Sequence, residues 1–140
     1  MRFVYLIEAR HFGWQEDRWY ENTLAYKIGS AAKPEARLKE LQVGSFAPLV
    51  IVTAFKCWDA HATERWLHNM WAGSRLRGEW FKPEHFIRDA LMRLAKLFTE
   101  VPESAYQLLN QNMWHDGWLY RYTHGREYVK PTWLIQQMVA

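Results

Sequence analysis

Two short runs in this chain have no polar side. Residues 3–8 (FVYLIE) and 49–55 (LVIVTAF) are built from aromatic and branched residues at odd and even positions alike. Side chains alternate between the two faces of a strand, so a run that is apolar on both belongs in the middle of a sheet with both faces buried. Everything else must be arranged around two such strands. At 140 residues, 49 % of them apolar, the chain is long enough to bury a full core and reads as one main domain.

Between the two runs lies a third strand, residues 24–29. Leu24, Tyr26 and Ile28 share one face, Ala25 and Lys27 the other. The polar, aromatic stretch 9–23, with Gly13 as its breaker, is expected to be a long connecting loop. Gly29 and Ser30 end the strand, and Pro34 suits the first turn of a helix with Leu38 and Leu41 on its apolar edge, closed by Gly44. Asp59 is placed to cap a helix running to about Trp71, with Ala60, Leu67 and Trp71 as its core stripe. Residues 73–78 read as a basic loop and 79–81 as a short extended piece. Ile87, Ala90, Leu91, Leu94 and Phe98 mark a further helix that starts near Pro83 and Glu84. The order is strand, strand, helix, strand, helix, helix.

Pro102 marks a boundary, giving a domain over 1–99 and an aromatic-rich extension over 100–140. In the extension, residues 105–110 favour a helix. Residues 118–122 and 127–129 suit a hairpin turning at His124-Gly125, and Pro131 starts a last helical turn. Trp114, Trp118, Tyr120, Tyr122 and Tyr128 interleave with Arg121, Arg126 and Lys130. Such rings either stack on bases or pack back on the core, and with so few cations among them packing back is favoured.

The composition narrows the functional classes. A net charge of +3 permits a polyanionic partner without requiring one. The single Cys57 excludes an internal disulfide and fits a reducing compartment. The opening MRFVYLIEAR reads as a strand and not as a signal peptide, and no apolar run is long enough to span a bilayer, so a cytoplasmic protein is expected. Cys57, His61 and His68 are spaced too widely for a zinc motif. Phosphate-binding and nucleophile-elbow signatures are absent.

What remains is a set of polar residues around the strands. Glu64 sits mid-helix, where a hard cation such as Mg²⁺ takes one or two carboxylates plus waters and phosphate oxygens. His68 lies one turn on, on the same face. Arg37 offers a fork able to clamp a phosphate. Tyr5 and Lys27 put a hydroxyl and an ammonium on strands, and Arg75 and Arg77 suit contact with a phosphate backbone. An aromatic hydroxyl, cations, a carboxylate and an imidazole together suit hydrolysis of a phosphodiester with one metal ion.

These residues resemble the GIY-YIG endonuclease superfamily, and more closely its compact phage and bacterial branch in which the second half-motif often reads KIG. Val4-Tyr5-Leu6 stands at the first half-motif and Lys27-Ile28-Gly29 at the second, with Tyr26 just before it. Arg37 matches the helix arginine, Glu64 the metal-binding glutamate, and His68 and Gly78-Glu79-Trp80-Phe81 what this branch shows next. Phe3 replaces the first glycine and Lys27 the second tyrosine. The resemblance implies an α+β fold, a small three-stranded, mainly antiparallel sheet flanked by helices. It implies Mg²⁺ or Mn²⁺ on Glu64, phosphate held by Arg37, and water activated by Tyr5, Lys27 or His68. Tyr26, Gly29, Arg75 and Arg77 are the expected substrate contacts. The expected partner is DNA, with no membrane and a monomer or homodimer. A module of the same fold that binds nucleic acid with weak or lost catalysis is the alternative.

Overall fold

The computed structural model describes residues 1–113, 118–125 and 130–138. Its strands are β1 (Arg2–Gln15), β2 (Arg18–Ala31), β3 (Leu49–Cys57), β4 (Arg75–Arg77) and β5 (Trp80–Phe81). Its helices are α1 (Pro34–Val43), α2 (Ala60–Met70), α3 (His85–Glu100), α4 (Tyr106–Gln111), α5 (Trp118–His124) and α6 (Thr132–Met138). The strands form one antiparallel sheet in the order β3-β1-β2-β5-β4. The fold is therefore mixed α/β with five strands, not the three expected. The added pair, β4 and β5, is too short to show any period in sequence.

Of the two apolar runs, β1 is an interior strand between β3 and β2, whereas β3 is an edge strand, apolar on both sides because Val52 and Phe55 pack into one core and Leu49, Ile51 and Ala54 into the other. Alternation sorts their side chains between two cores. Val4, Leu6, Tyr26, Ile28, Phe55 and Cys57 face one side, where residues from α2 to α6 cover them. Tyr5, Ile7, Ala9, Ala31 and Leu49 face the other, where Leu38 and Leu41 of α1 pack. On α3, Ile87, Ala90, Leu91, Leu94 and Phe98 are all buried, as their spacing requires, and Leu97 joins them. Asp59 caps α2, its carboxylate accepting from Ala62 N at 2.9 Å.

The expected loop over 9–23 is instead a hairpin. Both β1 and β2 run 14 residues. They turn at Glu16 and Asp17, whose φ values of 51° and 61° are the left-handed conformation that matches a tight turn to strand twist. No glycine announces that turn. Gly13 is not a breaker: the Tyr20 ring lies across it from the partner strand, and a Cβ there would overlap the ring. The pairing slips between Ala9 and Arg10, which jump from Ala25 to Thr23. Leu24 is the residue skipped, so it is exposed and does not share the core face of Tyr26 and Ile28.

One stretch of the extension also differs from expectation. Residues 118–122 lie in the helix α5, where Trp118 and Tyr122, one turn apart, are both buried in the larger core. Tertiary burial overrides their β preference. The partner limb over 127–129, with Trp114, Arg126 and Tyr128, lies outside the described residues. Leu109, Met113 and Leu134 join the same core, and Lys130 Nζ pairs with Glu100 Oε2 at 3.0 Å. Among the described residues, no helix is long and apolar enough to cross a membrane.

Candidate functional site

β5 covers only a short length of the outer edge of β2, pairing with Tyr26 and Lys27. At Ile28 the edge is closed differently. Its N–H donates to the Glu79 carbonyl at 3.1 Å, and its carbonyl accepts from His68 Nε2 at 2.8 Å. A carbonyl can only accept, so His68 carries its proton on Nε2. Beyond Ile28 come Gly29 and Ser30, and the polar groups gather around them.

Gly29 sits opposite Tyr5 in the β1–β2 register. A Cβ at Gly29 would stand 2.6 Å from the Tyr5 ring carbon that bears the hydroxyl. The glycine is there because the tyrosine ring crosses its backbone. Tyr5 is 1 % exposed, and its pKa is pushed up by burial and then by Glu79, while Arg37 pulls it the other way and Glu64 adds to the rise. One phenol thus senses two carboxyl groups and a guanidinium from α2, the β4–β5 turn and α1.

Glu64 and Glu79 face one another. Glu64 is pushed up to about 7, first by burial and then by its hydrogen bond with Glu79, while Ser30 and Lys27 draw it down. Burial also acts on Glu79, but the proton on Glu64 and the Lys27 ammonium outweigh it and hold Glu79 below its ordinary value. Lys27 Nζ lies 2.9 Å from Glu79 Oε2 and over the Trp80 ring. The pair therefore tends to hold one proton, on Glu64, as pH falls toward and below about 7, with Glu79 ionised against Lys27. His68 Nε2 stands 3.9 Å from Glu64 Oε1.

Tyr5, Lys27, Gly29, Arg37, Glu64 and His68 thus come to one end of the sheet. Arg37 enters from α1, ion-paired with Glu40 at 2.9 Å, its side chain 44 % exposed. Tyr26 points the opposite way, into the core on the α3 side. Arg75 and Arg77 are exposed on the edge strand β4, the Arg75 Nε donating to the Gly78 carbonyl. Cys57 is buried beside Thr63 and its thiol is pushed up to about 11, which suits a packing role. Among the described residues, no three His, Cys, Asp or Glu side chains gather into a metal cage.

Glu79 was legible in the sequence only as part of the Gly78-Glu79-Trp80-Phe81 string, Ser30 only as a strand end, Asn110 only as an asparagine without a convincing place, and Arg2 not at all. Asn110 reaches back from α4: its Oδ1 accepts from Trp58 N at 2.8 Å and Asp59 N at 3.2 Å, and its Nδ2 donates to Thr63 Oγ1 at 2.8 Å. It fixes the start of the helix that carries Glu64 and His68. None of these pairings is local, so no spacing rule announces them.

The family model of the T5orf172 domain matches residues 2–96. No curated protein and no solved structure matches the chain.

Proposed function

The chain belongs to the T5orf172 domain family, a nuclease-associated family loosely linked to the GIY-YIG superfamily, and on that premise we propose that it is a metal-dependent endonuclease hydrolysing DNA phosphodiester bonds. One observation supports this above the others: two carboxyl groups, Glu64 and Glu79, are brought together from α2 and the β4–β5 turn beside Lys27, Tyr5 and Arg37, with Lys27 Nζ 2.9 Å from Glu79 Oε2. A carboxyl held protonated near neutral pH by burial and by a second acid gains from a cation in its place.

The donor set fits Mg²⁺ or Mn²⁺. Glu64, with Glu79 and the Ser30 hydroxyl beside it, presents hard oxygen atoms, and such ions complete their shells with water and phosphate oxygens. Bound there, the ion would lower the pKa of water and draw charge from a phosphate oxygen. The chain's own residues do the rest. Arg37 exchanges Glu40 for a phosphate, which its fork grips in two places. Lys27 sets its ammonium against the charge that grows on the phosphate. Tyr5, kept a phenol by burial, orients water by hydrogen bonding and does not carry its proton away. His68 has its Nε2 engaged on the Ile28 carbonyl and holds α2 to β2. That leaves the ionised Glu79 as the carboxylate placed to take a proton.

The test is plasmid cleavage by the full chain with Mg²⁺ or Mn²⁺. Nicking or linearisation is expected, falling by about 10²-fold or more in Glu64→Ala. Binding without cleavage in both metals would leave a nucleic-acid-holding module of the same fold. Absence of any salt-sensitive DNA affinity would end both readings.

A further inference from the structure

Next to the acidic pair the surface falls into a depression of about 440 Å³ lined by Arg2, Ser30, Lys33, Arg37 and Glu40. It is continuous with the site, because Ser30 hydrogen-bonds Glu64 and Arg37 reaches Tyr5. A second hollow of about 650 Å³ shares Ala32, Lys33 and Ala36 with the first and adds Pro34, Glu35 and Lys39. Cations from β1, from the β2–α1 junction and from α1 therefore line two adjoining hollows beside the Glu64–Glu79 pair.

The fold makes little use of these charges. Among the described residues, the ion pairs include Arg37 with Glu40 but none formed by Arg2, Lys33 or Lys39. Among the described residues, the hydrogen bond that Arg2 makes is a long one to the Ser30 carbonyl, 3.4 Å, and its guanidinium stands at the rim of the depression. Lys33 is the N-cap residue of α1 and makes no side-chain cap bond. Both are exposed. Cations set around a concave surface without carboxylate partners repel one another and are relieved by an anion, and a line of them fits a chain of anions better than a single one.

We propose that these hollows hold the phosphates next to the scissile one, with Arg2 and Lys33 gripping the backbone of the cut strand. The strand then runs from the Glu64–Glu79 pair past Arg37 toward the start of α1. The inference rests on the reading of the Tyr5–Glu64 cluster as the cutting site. Contacts of this kind position a strand without reading its bases, so affinity should depend on salt and hardly on sequence.

The experiment is fluorescence anisotropy of the full chain with a labelled DNA duplex in EDTA from about 50 to 300 mM KCl, alongside steady-state cleavage in Mg²⁺. The Arg2→Gln/Lys33→Gln variant is compared with Arg18→Gln/Lys96→Gln, which removes the same charge at the hairpin tip and on α3. The expected result is a Kd about tenfold weaker and a log Kd against log salt slope shallower by about one to two units in the first variant alone, since each lost phosphate contact removes about 0.9. KM should rise with kcat unchanged, and Arg2→Lys/Lys33→Arg should restore the slope. If both double variants behave alike, the track is wrong and the cutting site stands. If kcat falls with KM unchanged, Arg2 and Lys33 belong to the reacting cluster and the track is overturned. If the wild type has no salt-sensitive affinity, the endonuclease reading falls as well.

Discussion

The two faces of the sheet are covered unequally. On one, residues from α2 to α6 bury a continuous core with Leu94, Leu97, Ile87 and Phe98 at its centre. On the other, α1 is the helix that packs over Tyr5, Ile7 and Leu49, joined by Ala47 and Trp80, and the buried Lys27 keeps its ammonium beside Glu79 and the Trp80 ring. The first face stores stability. The second leaves room for charged groups, whose burial a fully packed face would forbid. Side chains one position apart on the same strand thus take opposite duties: Val4 and Tyr5, Tyr26 and Lys27.

The sharpest way to break this comparison is to remove material from the thick face. Ending the chain after Glu100 deletes Leu109, Met113, Trp118, Tyr122 and Leu134 from the core, and with them Asn110, which pins the start of α2. At about 1.5–3 kcal/mol for each large buried side chain, the loss approaches a whole domain's stability of about 5–15 kcal/mol. An unfolded or insoluble product is expected. A soluble fragment melting like the full chain would show that α2 and α3 close the core unaided.

Next in size is Gly29→Ala. The added methyl meets the Tyr5 ring, so a loss of about 1–3 kcal/mol in denaturant unfolding and of about 10²-fold in cleavage is expected. Gly44→Ala, with open space around its Cβ, is the control and should stay within about 0.5 kcal/mol.

The third prediction concerns pH. Glu64 rises from an ordinary 4.5 to about 7 in the folded state. The folded chain therefore binds the proton more tightly than the unfolded one between those values. Stability from this group is present in full below pH 4.5 and is lost as pH rises through about 7. Glu79, depressed, acts in the opposite sense on the acid side. The Tm of wild type should fall relative to that of Glu64→Gln between about pH 5 and 8. Mg²⁺ should raise the wild-type Tm at pH 8 and not that of the variant. Parallel Tm profiles would remove the shared proton from the account.

The smallest effect belongs to neither face. Asp17→Gly at the hairpin tip relieves a left-handed φ of 61° and should stabilise by about 0.5 kcal/mol without changing cleavage. Weaker cleavage at unchanged stability would instead tie the hairpin to substrate.

Where a pattern repeats along the chain, the fold could be read directly. The double-faced runs of β1 and β3, the stripe of α3, the cap at Asp59 and Pro34 at the start of α1 all follow from local period and local hydrogen bonding. The candidate site was half legible, since Tyr5, Lys27, Arg37 and Glu64 stand at recognisable spacings. The hairpin over 9–23 was not, because its aromatic and polar residues are exposed on both faces and its turn lacks glycine. Nor was α5, whose residues favour strand in isolation.

The amino-acid order alone determined that β1 and β3 are buried strands and that α1, α2 and α3 are helices, because burial imprints a period of two or of 3.6 on neighbouring residues. Only the tertiary structure decided that Glu79 faces Glu64, that Ser30 and Arg2 border the same hollow, and that Asn110 holds α2 in place. Those meetings depend on strand register and on how helices pack across the sheet, and contacts between residues far apart in the chain leave no period to read.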